Sequence, residues 1–217
     1  MVSTIDVGLT HIDKIFHIAD IHIRNLKRHV EYKEVFNKLL TEIRARKTPN
    51  SIIYLAGDIA HAKTEMSPEL ISMISKLLIE CAIECPTVVI PGNHDANLNN
   101  SYRMDVLSPI VESINNERII YLKDSGVFKI ANINFVHYGI FQSKDEWPNV
   151  KDVDNYNIGL FHGPIHSSHT DIGYIVSNKS ITVNSFAGCD IVMCGDIHRR
   201  QIVQTGDDML IVYAGSL

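Results

Sequence analysis

Five short runs of apolar residues, most of them rich in Ile and Val, each end within a few residues of a histidine, and four of them place an acid or an amide just before it. The runs cover residues 14–18, 51–55, 87–90, 158–161 and 190–194, and a sixth covers 210–213. Runs this short, with flanks this polar, read as buried strands rather than helices. Helical periodicity lies between the first three. Residues 32–47 place Val35, Phe36, Leu39, Leu40 and Ile43 on one face, and residues 68–81 do the same with Leu70, Ile71, Ile74, Leu77 and Leu78. Ser67 before Pro68 has the form of an N-cap followed by a first-turn proline. A third helix is predicted over 104–114, and a β-hairpin over 127–137 that turns at Ala131-Asn132. Strands alternating with helices, then a strand-rich second half, predict an α/β sandwich, and 217 residues suit a single domain.

The polar clusters all follow the C-terminal ends of strands, where α/β sheets bind ligands. After the first strand comes Asp20-Ile21-His22, whose two side chains point the same way in extended backbone and can reach one metal. After the second comes Gly57-Asp58-Ile59-Ala60-His61. Gly57 permits a sharp turn, and Asp58 offers two oxygens that can bridge two cations, an ordinary helix N-cap being its bland alternative. After the third comes Gly92-Asn93-His94-Asp95, in which Asn93 offers a neutral oxygen and His94 can face the substrate. His162 and Gly195-Asp196-Ile197-His198 close the series. Carboxylates and an amide mixed with imidazoles suit Mn²⁺, Fe²⁺ or Zn²⁺ better than Ca²⁺. Two such ions ~3.5 to 4 Å apart clamp a phosphorus for in-line displacement, while a nearby imidazolium can protonate the leaving alkoxide.

Eleven histidines concentrate attention on these clusters. The remaining histidines have simpler readings: His17 and His137 as structural, His166 and His169 as loop residues, His11 and His29 as surface. Arg24, Lys27 and Arg28 follow the first cluster, and Arg199 and Arg200 the last. Arg24 and Arg199 are therefore candidate substrate contacts, with a solvated face as the alternative. Arg44, Arg46 and Lys47 suit the end of a helix dipole and need no function. A net charge of −5 argues against a large basic nucleic-acid surface, although bound cations would neutralise a carboxylate cluster. Cys81, Cys85, Cys189 and Cys194 lack zinc-ribbon spacing and read as reduced, buried thiols of an intracellular protein. Neither a signal peptide nor a membrane span is expected.

The motifs Asp20-x-His22, Gly57-Asp58, Gly92-Asn93-His94-Asp95, His162 and Gly195-Asp196-x-His198 resemble, in order, those of the calcineurin-like metallophosphoesterases. The resemblance is closest to the SbcD-type nucleases of DNA double-strand-break repair. It rests there on His61 three residues after Asp58, on Arg24 behind Asp20-x-His22, and on the closing Val212-Tyr213-Ala214-Gly215-Ser216-Leu217. It implies a four-layer α-β-β-α sandwich and a catalytic domain over residues 1–217, without the capping and ATPase-binding segments of those nucleases. One metal would be held by Asp20, His22, Asp58 and His198, the other by Asp58, Asn93, His162 and the residue at 196. His94 would protonate the leaving group, and His61 would position His94 or the DNA phosphate. The family has histidine at position 196. Asp196 either binds a hard ion, favouring Mn²⁺ or Mg²⁺, or misses it, and coordination is the expectation.

The implied activity is a Mn²⁺-dependent DNA exonuclease or endonuclease of repair or recombination, with Mg²⁺, Fe²⁺ or Zn²⁺ as other ions. The implied partners are DNA, an SbcC-type ATPase and a second copy of the chain, in cytoplasm or nucleus/nucleoid, with viral, phage and cellular hosts all open. The alternatives are a small-molecule or cyclic-nucleotide phosphodiesterase or phosphatase, and a non-catalytic scaffold. An Arg-Gly pair after the second motif would favour a phosphatase, and this chain has Ala60-His61 there.

Overall fold

A computed structural model describes residues 2–100, 103–150, 156–204 and 209–217. Two sheets stack face to face. The smaller is parallel throughout, in the order β2 (Lys14–Ile18), β3 (Ser51–Ala56), β4 (Thr87–Ile90), β5 (Ile119–Tyr121). The larger has seven strands. From one edge they are β1 (Val2–Ile5), β6 (Gly126–Ile130), β7 (Ile133–Tyr138), β8 (Tyr156–His162), β9 (Ile191–Gly195), β11 (Leu210–Tyr213) and β10 (Gln201–Gln204). Its central strands β7, β8, β9 and β11 are parallel; the predicted hairpin is the antiparallel β6–β7 pair, and β10–β11 is the other antiparallel pair.

The period-2 alternation of the strands sorts their side chains into separate cores. Ile52, Tyr54, Ala56, Val88 and Ile90 face Phe135, Ile158 and Leu160 between the sheets. Ile53, Leu55 and Val89 face outward, beneath α1 (His29–Arg46), α2 (Pro68–Glu84) and α3 (Leu107–Ile114). The far face of the larger sheet buries Val136, Tyr138, Phe161, Val192, Cys194 and Tyr213. Among the described residues that face is covered by loops and two 3₁₀ turns, Lys144–Glu146 and Val183–Phe186, with Trp147, Ile165 and Phe186 packed inward. The α/β sandwich therefore stands, with its fourth layer built from irregular chain.

Each predicted helix is present with shifted ends. α1 begins a turn early, from a left-handed Arg28 (φ 59°). α2 does start at Pro68 under a Ser67 cap, and runs on to Glu84. α3 starts at Leu107 because the Asp105 carboxylate takes up the Leu107 and Ser108 N–H groups at 3.0 and 2.7 Å. All four cysteines are buried and free. No helix among the described residues is long and apolar enough to cross a membrane.

Candidate metal centre

The parallel strands of both sheets deliver their C-terminal ends to one edge, and the segments beyond them are tied together by main-chain bonds. Asp20 N donates to Gly57 O at 3.3 Å, His22 N to Asp58 O at 2.9 Å, and Gly163 N to Gly195 O at 3.3 Å. Asp20, His22, Asp58 and Asp196 all lie in left-handed backbone, with φ of 53°, 50°, 53° and 88°. Such conformations are unfavourable for residues with a Cβ and gather at functional sites. Here they turn four polar side chains off the strand ends into one space.

The turns themselves are clamped by Asp95, which the sequence showed only as part of a motif. Fully buried, its carboxylate accepts from Ile59 N, Ala60 N and Gly92 N at 3.3, 2.8 and 2.9 Å, locking the turn after β3 to the turn after β4. Gly92 permits that closeness: a Cβ there would collide with the Asp58 carboxylate and main chain. A Cβ on Gly195 would likewise strike the Ala56 carbonyl and stand 2.7 Å from His162 Nδ1.

Within this frame Asp20, His22 and His198 form one group of donor atoms lying within 4.8 Å of one another, and Asp20, Asp58 and His162 form a second. Asp58 faces both halves. Its Oδ2 is 3.5 Å from His22 Nε2, and its Oδ1 is 3.4 Å from His162 Nε2 and accepts from His94 N at 2.8 Å. His22 Nε2 stands 3.0 Å from His198 Nε2. His162 is the most telling. Its Nδ1 donates to the Ala56 carbonyl at 2.7 Å, which fixes the ring and aims Nε2 inward, where it can hold a proton or, once that is lost, a metal ion. That nitrogen faces acceptors: Asn93 Oδ1 at 3.2 Å, Asp58 Oδ1 at 3.4 Å and Asp196 Oδ1 at 3.9 Å. Lone pairs converging on one point fit a cation, and the mixture of carboxylate, amide and imidazole fits a divalent transition ion.

The ionisation of these groups expresses the same demand for positive charge. Burial lowers His162, but the Asp58 hydrogen bond and the charges of Asp58, Asp20 and Asp196 outweigh it and hold the ring at about 9. Burial pushes Asp20 up to about 6, against the pull of His162 and the Asp196 N–H. Burial takes His22 down to about 4, which keeps it in the neutral form a metal needs. Burial also raises Asp196. Asp58 resists its burial and lies below its ordinary value because His162 and the His94 N–H serve it.

Asp196 is placed between the halves: its N–H binds both Asp20 oxygens, at 2.9 and 3.1 Å, and its carboxylate approaches His162 less closely than Asn93 does. His61 and His94 stand together as stacked rings, 5.7 Å between centroids, beside His22. His94 Nδ1 donates to the His61 carbonyl at 2.7 Å, so Nε2 is the nitrogen left for exchange with a substrate. A cavity of about 380 Å³ opens beside this wall, lined in part by Arg24. Arg199 is exposed on the turn after His198 and is not among the residues lining that cavity. His17 stacks on Tyr54 at 5.3 Å, and His137 is wholly buried, with Nδ1 bonded to Asp124 O.

Comparison with known proteins agrees with this geometry. A protein of Acanthamoeba polyphaga mimivirus, described as uncharacterized protein R555, is 42% identical over 223 residues, covering 98% of this chain and 16% of that relative's length. The calcineurin-like phosphoesterase family matches residues 13–200, a span that holds every motif on which the site is built. The chain belongs to the calcineurin-like phosphoesterases, metal-dependent hydrolases of phosphoesters.

Proposed function

We propose that this chain is a two-metal phosphodiesterase, with DNA as the favoured substrate and Mn²⁺ as the favoured ion. The observation that carries the two-metal part is Asp58, whose Oδ2 lies beside His22 and whose Oδ1 lies beside His162, ligands of two donor groups that also share Asp20. Asp20, His22, Asp58 and His198 would hold one ion, and Asp58, Asn93, His162 and Asp196 the other. Bound there, the ions would lower the pKa of the attacking water and neutralise charge on the phosphoryl oxygens. The chain's own residues supply the rest. His94 would act as the acid from Nε2, which is left to face the site because Nδ1 is anchored on the His61 carbonyl. As water oxygen joins phosphorus, the bond to the leaving oxygen breaks with its electron pair on that oxygen. The leaving oxygen takes the His94 proton, and the proton lost by water returns to the imidazole through solvent. The free space on the His94 side supports a diester, because a second esterified group needs room there. The resemblance to SbcD-type nucleases extends the proposal to DNA, an SbcC-type ATPase and a second copy as partners.

A small or cyclic nucleotide diester is the second reading. It is favoured by the net charge of −5 and by a cavity sized for one nucleotide rather than a duplex. End-labelled duplex DNA and bis-p-nitrophenyl phosphate, each incubated with the chain and Mn²⁺, separate the two. Mn²⁺-dependent degradation of both is expected. Hydrolysis of the small diester alone would move the substrate to the second reading. Loss of both activities, together with failure to take up metal, would overturn the two-metal mechanism.

A further inference from the structure

The cavity beside the site is lopsided. Its walls include Asp20, His22, His61, His94 and His198, but not Asp58, Asn93, His162 or Asp196, so it opens on the half of the centre where His94 stands. Its opposite wall is one face of α1 and the segment that leads into it. Tyr32, Val35 and Phe36 supply an apolar surface, and Arg24, Arg28 and Glu31 supply charge, two cations to one anion. This wall is held in place. Tyr32 donates its hydroxyl to the His22 carbonyl at 2.6 Å, and its ring lies 6.0 Å from that of Phe36. With the hydroxyl committed, what Tyr32 offers a ligand is its ring. His29 Nε2 bonds the Arg24 carbonyl at 2.9 Å, and Arg28 sits in left-handed backbone at the helix start, 3.7 Å from Glu31 with both side chains exposed. A volume of about 380 Å³ with an aromatic and aliphatic wall and a few charged groups matches a small-ligand pocket. Its volume suits one nucleotide rather than a base-paired helix.

We propose that this cavity is the subsite for the leaving-side nucleoside of the diester, which it takes as a single, unstacked base against Tyr32 and Val35 while Arg24 and Arg28 hold the adjoining phosphate. The assignment rests on the phosphodiesterase reading and adds to it a substrate class: nucleic acid that presents an unpaired nucleotide, such as a single strand or a frayed end. Base-on-aromatic stacking of this kind tolerates any base.

Equilibrium binding tests it without turnover. Deoxynucleoside 3′- and 5′-monophosphates and the matching deoxyribose phosphates are titrated calorimetrically into the Mn²⁺-loaded protein. For at least one isomer the base should improve affinity about tenfold, the worth of one modest stacking contact. Val35→Trp, which fills the cavity from an exposed helix position, should bring that ratio to about one. Equal binding of nucleotide and sugar phosphate by the wild type, or a base-dependent ratio that survives Val35→Trp, would overturn the assignment. Should the variant not fold, transferred Overhauser effects between base protons and the Tyr32 and Val35 side chains decide the same point. Because no bond is cleaved, this outcome is read independently of whether DNA is hydrolysed.

Discussion

His94 and His61 form one wall of the centre, but the main chain divides their roles. His94 presents Nε2 to the site, so its part in any proton transfer is played by its ring. His61 acts on His94 through a carbonyl, which any residue at position 61 would retain. On the proposed mechanism, removing His94 should therefore cost far more than removing its neighbour's ring. His94→Ala is expected to lower kcat on a phosphodiester by roughly 10² to 10⁴, the usual share of general acid catalysis. His61→Ala keeps that carbonyl and removes only the stacked ring, and should cost about tenfold at most. Steady-state kinetics with metal content measured alongside checks this, because both variants should keep two ions. Equal losses would place the His61 ring in contact with the reacting groups. Both histidines were legible in the sequence as candidates, since each follows a strand end, and the fold sets their rings side by side. The bond that separates them was not, because a sequence displays side chains and is silent about where a carbonyl points. Asp95 and Tyr32 were hidden for a related reason: each serves the site through backbone groups of residues far along the chain.

At the scale of the element, the centre depends on how closely the strand-end turns can pack. The turns after β3 and β4 touch at Gly92, where the Asp58 carboxylate occupies the place of a side chain. Gly92→Ala must displace Asp58, whose two oxygens lie beside His22 and His162. The expected result is Mn²⁺ binding weakened about 10- to 100-fold, as when metal ligands lose their orienting contacts. Circular dichroism should show the fold retained, and calorimetric titration reads the affinity. Wild-type affinity would mean that the turn yields without moving Asp58. β3, β4 and β8 were readable because burial on both faces makes them nearly continuous apolar runs, whereas the half-buried β2 was readable from Ile15, Phe16 and Ile18 alone. β1, β5 and β10 were not: four, three and four residues long, they exist because a partner strand lies beside them. The irregular fourth layer was unreadable too. It is held by Tyr138, Trp147, Phe161 and Phe186, rings about 5 to 5.5 Å from their neighbours and drawn from loops and strands with no shared period.

For the whole molecule, folding assembles charge. Asp20 and Asp196 are 176 positions apart in sequence and bonded to each other in the fold, with Asp58 beside them, and the unfolded chain has no such cluster. Cations that bind the centre therefore bind the folded state almost alone, and their binding free energy becomes folding free energy. At Mn²⁺ a hundredfold above its dissociation constant, each occupied site should add about 2.7 kcal/mol. For a domain of this size that raises the thermal midpoint by about 5 to 10 °C over the chelated protein. Scanning calorimetry with EDTA as the reference measures the increment, and two substitutions decide how it is shared. Asp58→Asn replaces one of the two oxygens that face the two halves and removes the charge, and should abolish most of the increment. Asp196→Asn should remove the part that belongs to one site, since an amide keeps an oxygen but loses the charge. If Asp196→Asn keeps the full Mn²⁺ increment while Asp58→Asn loses it, Asp196 is a structural anchor for Asp20 rather than a ligand. The second ion would then rest on Asp58, Asn93 and His162.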